Sequence, residues 1–294
     1  PAKEPFTRRS VLAKVASVYD PMGLVAPLIL PARVLIQQSC KQGLSWDEEI
    51  VGLEREKWLT WNEQMTNISS IHIPRCVHPP DFVPVRQEIH TFADASELGY
   101  GACSYIRSFD EDDTAYCSLM LGKTRVAPFR KLVTIPRLEL QAALLAAKQC
   151  KSLKSELGLD CQSYLWSDSR IVLGYINNES KRFHTYVANR LSQIHEVSSI
   201  SQWNHVATEC NPADIVSRGL SNLNDLSKSI WFRGPEFLWS NEPLPTSPVT
   251  SFSVDPNDVE LKKSVITLAA CSEPALSAYD QIILGIVDKS SSWE

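Results

Sequence analysis

Glu88-Ile89-His90-Thr91-Phe92-Ala93-Asp94-Ala95-Ser96 decides how the rest of this sequence is read, because it sets a single carboxylate, Asp94, into an otherwise apolar run. Ile89, Thr91 and Ala93 alternate with His90, Phe92 and Asp94, and spacing of period two predicts a strand. Ser96, Gly99 and Gly101 follow, small residues that let the backbone turn and leave open space around the carboxylate. Alone, such an aspartate reads as the first residue of a turn. Three more isolated acids downstream, each at the edge of a predictable element, change that: Glu139, Asp168 and Asp214.

Tyr100–Ile106 and Ala115–Leu121 read as the next two strands. The loop between them, Asp110-Glu111-Asp112-Asp113, is read as a hydrated tip and not as a metal site. Thr134-Ile135-Pro136 opens the longest helix, with proline in the first turn and Gly158 as terminator. Leu138, Ala142, Leu145, Ala146, Gln149 and Leu153 trace its buried face, and Glu139 lies in its first turn beside that face. Tyr164-Leu165-Trp166-Ser167-Asp168 is a compact apolar run that delivers Asp168 into the helical segment Ser169–Ile176, the way open α/β sheets present reactive groups. A helix over His184–Val197 and a strand over Ser199–Val206 come next. A last helix is opened by Asn211-Pro212-Ala213-Asp214 and closed by Gly219. The expected fold class is therefore α/β, a five-stranded sheet flanked by helices. If the strands of Asp94 and Asp168 are neighbours and the helices of Glu139 and Asp214 cap the same edge, the four carboxylates converge.

A small helical region is expected over residues 1–82. Arg8–Val18 reads as a short basic helix and Tyr19-Asp20-Pro21-Met22-Gly23 as a turn. Leu24–Cys40 is apolar, with Pro27 and Pro31 expected to prevent one uninterrupted helix. Ser45-Trp46-Asp47-Glu48 has capping-box spacing and predicts a helix to about Asn67, with Val51, Leu53, Trp58, Leu59, Trp61 and Met65 on one side. The α/β domain is assigned to residues 83–222. Residues 223–294 are read as linker and partly disordered tail, with one helical or strand patch at Ala278–Val287.

The 294 residues carry a net charge of −5, but Glu236–Glu294 alone contributes −6, which leaves residues 1–235 at +1. Met120–Arg137 holds Lys123, Arg125, Arg130, Lys131 and Arg137 with no acid, a stripe suited either to a phosphate backbone or to a solvated face. The eight cysteines form no Cys-x-x-Cys pair or Cys/His cluster, which favours free thiols in a reducing compartment over structural zinc. No window approaches the ~18 apolar residues of a membrane span. Pro1–Ser10 has neither an initiator Met nor a signal-like apolar run, as expected of a piece of something longer.

Carboxylates brought within a few ångströms repel unless protons or cations intervene. Hard oxygen donors suit Mg²⁺ or Mn²⁺, and two such ions ~4 Å apart promote phosphodiester hydrolysis. The runs Thr91–Ser96, Ile135-Pro136-Arg137-Leu138-Glu139-Leu140, Trp166-Ser167-Asp168-Ser169 and Asn211–Gly219 resemble those of BEL/Pao retrotransposon polyproteins, as does Ala16–Gly23, which is similar to the region between polymerase and ribonuclease H. The resemblance covers roughly residues 8–240. It implies a ribonuclease H-like mixed five-stranded sheet behind a polymerase-connection region, and hydrolysis of the RNA strand of RNA:DNA hybrids. Asp94, Glu139, Asp168 and Asp214 would hold two Mg²⁺ or Mn²⁺ ions, and His205 corresponds to a mobile histidine that assists product release. Ser96, Arg137 and Ser169 are candidates to meet phosphate or ribose. The implied partners are the hybrid and the polymerase and integrase parts of the same polyprotein, with no membrane. The implied location is the cytosol or a virus-like particle in the cytoplasm, or the nucleus. No Tyr-x-Asp-Asp polymerase signature and no Asp-Thr/Ser-Gly peptidase triplet occurs. A non-catalytic remnant that binds nucleic acid or protein is the alternative.

Overall fold

The computed structural model describes residues 6–129, 133–246 and 252–262. Its helices and strands run α1 (Arg8–Ala16), α2 (Ala26–Lys41), α3 (Leu53–Thr66), β1 (Arg86–Ala95), β2 (Gly99–Phe109), β3 (Ala115–Val126), α4 (Ile135–Leu157), β4 (Gln162–Ser167), α5 (Arg170–Asn177), α6 (Thr185–Val197), β5 (Trp203–His205), α7 (Ala213–Arg218) and α8 (Leu223–Lys228). The strands form one mixed sheet in the order β3-β2-β1-β4-β5. β1 pairs antiparallel with β2 and parallel with β4, so the strand of Asp94 and the strand leading to Asp168 are neighbours.

Both faces of β1 are covered, which is why its apolar run is nearly continuous. Ile89 and Ala93 face a core built with α4, α5 and α6. Phe92, with Cys103, Tyr105 and Trp166, faces a second core shared with α1–α3, α7 and α8. A polar pin crosses the first core: Thr91 and Ser104 share a hydroxyl hydrogen bond of 2.8 Å, and Gln149 on α4 donates to Ser104 at 2.9 Å and to the Leu121 carbonyl at 3.0 Å. The acidic hairpin loop closes on itself, with the Asp110 carboxylate accepting from the Asp112 and Thr114 amides.

The helical region departs from expectation in three places. α2 is one continuous helix despite its prolines: Pro27 sits in the first turn, where no amide donor is needed, and Pro31 lies inside. Pro31 leaves the Pro27 carbonyl without its helical donor, and the Leu220 amide takes that place at 2.9 Å. Gly219, at φ +74°, makes the approach possible, since a Cβ there would meet the Pro31 ring at 3.0 Å. Second, the Glu48 carboxylate does accept from the Ser45 amide at 3.0 Å, but the helix starts later, behind Gly52. Third, Trp58, Trp61 and Met65 are its buried residues, while Val51, Leu53 and Leu59 are more than half exposed.

The Tyr19–Gly23 turn has a docking role. Asp20 accepts from the Leu24 and Val25 amides, capping the entry to α2, and Met22 accepts from the Gly122 amide of β3 at 2.8 Å. A Cβ on Gly23 would fall 1.8 Å from the Gly122 carbonyl oxygen, so only glycine allows this contact.

β5 is shorter than expected, because residues 200–202 form a 3-10 turn. Among the described residues beyond 222, Trp231 and Leu238 are packed into the second core. Trp231 is fully buried, donating to the Leu24 carbonyl and accepting at its own carbonyl from the Tyr105 hydroxyl. The described residues up to Leu261 belong to one compact unit. Cys103, Cys117 and Cys150 are buried free thiols, and Cys76 is exposed. No helix among the described residues is long and apolar enough to cross a membrane. The Ala278–Val287 patch, Cys271, Arg130 and Lys131 lie outside the described residues.

Candidate active site

Asp94 is the last residue but one of β1, opposite Gly101, and is 7% exposed. The Ser217 hydroxyl of α7 donates to its Oδ2. Burial pushes the Asp94 carboxyl up to about 7; the Ser217 bond opposes that, and the carboxylates of Asp168 and Asp214 add to it. Ala93 pairs with Ser167, so Asp94 and Asp168 leave adjacent parallel strands at the same edge. Glu139, one turn into α4, accepts from the Ser169 hydroxyl at 2.5 Å. Its carboxyl is raised by burial and further by the charge of Asp168, while Ser169 pulls it back. Ser169 also caps α5 through the Val172 amide, so one hydroxyl orients a carboxylate and starts a helix.

Asp214 stands at the second position of α7 and accepts from Arg218 Nε at 2.5 Å. α7 has only six residues and is held by its neighbours. Asn211 donates to the Ala93 carbonyl and accepts from the Ala213 amide, fixing the start of the helix to β1. Its last carbonyls are taken by side chains: Thr124 donates to Val216 O at 2.9 Å and Ser96 to Ser217 O at 2.7 Å.

His205 closes β5 next to Ser167, with its ring against Phe252 at 5.6 Å between centroids. Partial burial and then Arg170 hold its imidazole below the ordinary value, against the pull of Asp168, so the ring is neutral at pH 7. Two other candidates point elsewhere. Ser96 is occupied by the turn, also accepting from the Leu98 and Gly99 amides. Arg137 makes a two-pronged ion pair with Glu260, at 2.6 and 3.0 Å, and lies over the Tyr186 ring.

The four acids are thus drawn toward one sheet edge, where the charges of Asp168 and Asp214 act on Asp94 and that of Asp168 acts on Glu139. Among the described residues no three His, Cys, Asp or Glu side chains are grouped to grip an ion as they stand. The donor chemistry nevertheless fits a hard divalent cation: all four groups are oxygen donors, and among the described residues the one guanidinium bonded to any of them is Arg218 on Asp214. Ser217, Arg218 and Glu260 went unnoticed in the sequence. Arg218 carried a signal, its i+4 spacing from Asp214; Glu260, 123 positions from Arg137, carried none.

A family model described as the Pao retrotransposon-like RNaseH-like domain matches residues 7–169. The chain belongs to the Pao retrotransposon family. The match runs through the helical region of the Pao chain and ends at Ser169, so it spans Asp94, Glu139 and Asp168 but not His205 or Asp214. Among solved structures, the N-terminal RNase H domain of rv2228c from Mycobacterium tuberculosis aligns at 13% identity and TM-score 0.31, over 48% of this chain and 96% of that one. LC11-RNase H1 in complex with an RNA/DNA hybrid aligns at 14% identity and TM-score 0.28, over 45% and 93%. The foamy viral protease-reverse transcriptase in complex with dsDNA aligns at 10% identity and TM-score 0.34, over 68% and 41%. No curated protein matches the chain.

Proposed function

We propose that this Pao chain is a metal-dependent endonuclease that hydrolyses the RNA strand of RNA:DNA hybrids. The observation that carries the reading is the meeting of Asp94, Glu139 and Asp168 at one sheet edge, close enough for Asp168 to raise both of the others. Asp94, Glu139, Asp168 and Asp214 would hold Mg²⁺ or Mn²⁺, two ions in the full site, which would supply activation of a water and stabilisation of the leaving oxygen.

The protein's own groups prepare that site. Ser217 and Ser169 fix the orientation of Asp94 and Glu139 by donating to them. Asp94 would have to give up its proton to hold a cation, so metal affinity is expected to rise with pH through the region of about 7. Arg218 neutralises part of the charge at Asp214. His205, neutral at pH 7 and next to Asp168, is suited to accept a proton from water or to release one to the departing product. On this reading residues 1–82 are the polymerase-connection region and 83–222 the nuclease domain. The partners are then the hybrid and the polymerase and integrase parts of the polyprotein, met in the cytoplasm or the nucleus.

The test is cleavage of an end-labelled RNA:DNA hybrid by the full chain and by Asp168→Asn, with Mg²⁺, Mn²⁺ or EDTA. RNA-strand cutting that needs the metal and vanishes in the variant supports the proposal. An intact hybrid in both metals, with the protein folded, refutes it and leaves a binding module.

A further inference from the structure

β3 is one of the two edge strands, and carbonyls at and just past its end are met by one face of α2. Arg33 Nη1 donates to Thr124 O at 3.2 Å and Gln37 Nε2 to Ala127 O at 2.6 Å, while Lys41 lies over the Phe129 ring, so residues 33, 37 and 41 track residues 124–129 at helical spacing. Between helix and strand lies a cleft of about 460 Å³ lined by Arg33, Tyr100, Lys123, Thr124, Arg125 and Val126. Lys123 and Arg125 are exposed and share one face of β3. Among the described residues no carboxylate forms an ion pair with Arg33, Lys123 or Arg125, although acids outnumber bases in the chain. Partial desolvation and then the facing charge of Arg125 lower the Arg33 guanidinium from its ordinary value, the effect of crowding like charges without a counterion.

The cleft has a fixed relation to the carboxylate edge. Asp94 pairs with Gly101 and Gly101 with Thr124, so Thr124 stands two strand spacings, ~10 Å, from Asp94. The Thr124 hydroxyl holds α7 and its carbonyl holds Arg33. A base-pair rise of ~3.4 Å makes that separation about three nucleotides of a duplex.

We infer that Arg33, Lys123 and Arg125 form a second contact for a phosphodiester backbone, gripping the nucleic acid about three nucleotides from the carboxylates. This rests on the nuclease reading for its substrate, but binding and cleavage are measured separately. The experiment is anisotropy of a fluorescein-labelled RNA:DNA hybrid with the full chain in EDTA, over a salt series, for wild type, Lys123→Ala/Arg125→Ala, Arg33→Gln, and Lys57→Ala as an exposed basic control on α3. The double variant is expected to bind about tenfold more weakly, and the slope of log K against log salt to flatten by ~1.8, since each phosphate contact is worth ~0.9. Lys123 and Arg125 are exposed, so an unchanged melting temperature separates this loss from unfolding. Equal affinity and slope in wild type and double variant, or no hybrid binding by wild type, overturns the inference. Inorganic phosphate separates the sources of the anion: stabilisation of wild type but not the double variant by phosphate, with hybrid binding equal in both, marks a free-phosphate site and also overturns it. Loss of cleavage with hybrid binding intact counts against the nuclease reading alone.

Discussion

Replacing Asp94 by Asn is expected to make the metal-free protein more stable above neutral pH. The wild-type carboxyl is raised to about 7 in the fold, by burial first and by Asp168 and Asp214 second. Between the ordinary value of 3.8 and about 7, the unfolded chain has released the proton that the folded chain still holds. Raising pH through that window therefore favours unfolding, and the penalty is complete above about 7. At 1.36 kcal/mol per pH unit the full difference is ~4 kcal/mol. Water penetration and relaxation reduce this, and half of it, ~2 kcal/mol, corresponds to a melting shift of ~4–8 °C for a chain of this size. Asn keeps an oxygen for the Ser217 hydroxyl and never ionises. The assay is thermal unfolding by circular dichroism in EDTA at about pH 4 and about pH 8. The variant's advantage should be small at the acid end and full at the alkaline end, and Mg²⁺ should narrow it by stabilising wild type alone. A variant no more stable than wild type at the alkaline pH, or an advantage that ignores pH, would refute the reasoning.

Ser169→Ala removes the cap of α5 and the donor to Glu139; the expected results are ~1 kcal/mol lower stability by urea denaturation and a higher Mg²⁺ requirement for cleavage. Arg107→Met removes the buried cationic partner of Glu88 and leaves it only the half-exposed Arg86. Burial pushes the Glu88 carboxyl up, but His90 and Arg107 outweigh that and hold it low; with Arg86 still paired, a loss of ~1–3 kcal/mol is expected, partly recovered by adding Glu88→Gln. Glu260→Gln releases Arg137; hybrid affinity in EDTA should rise and its salt dependence steepen by ~0.9, and no change would remove Arg137 from the candidate phosphate ligands.

The acids were legible because each ends or opens an element whose type follows from local pattern. Asp94 and Asp168 terminate apolar runs, Glu139 follows Pro136 into a helix, and Asp214 follows Asn211-Pro212. What surrounds them was not, because it comes from distant parts of the chain. Ser217 reaches Asp94 across 123 positions, and Glu260 closes on Arg137 across the same interval. Local rules also failed where tertiary partners override them. Pro31 was expected to interrupt a helix, yet the Leu220 amide supplies the missing donor. The Ser45–Glu48 box was expected to start a helix, but Gly52 precedes its true start. Val51, Leu53 and Leu59 satisfied an apolar stripe on paper and face solvent, since α3 is clamped by Trp58 and Trp61 instead.

The bond from Leu220 to the Pro27 carbonyl has a practical consequence for anyone trimming this molecule. A fragment cut at residue 83 would strip α7 of the surface on which Gly219 and Leu220 rest, only a few residues after Asp214, and would bare the β3 edge that Arg33 and Gln37 cover. The part after residue 83 is thus an incomplete object, and a peptide covering residues 18–44, added in trans to such a fragment, is the natural candidate to complement it.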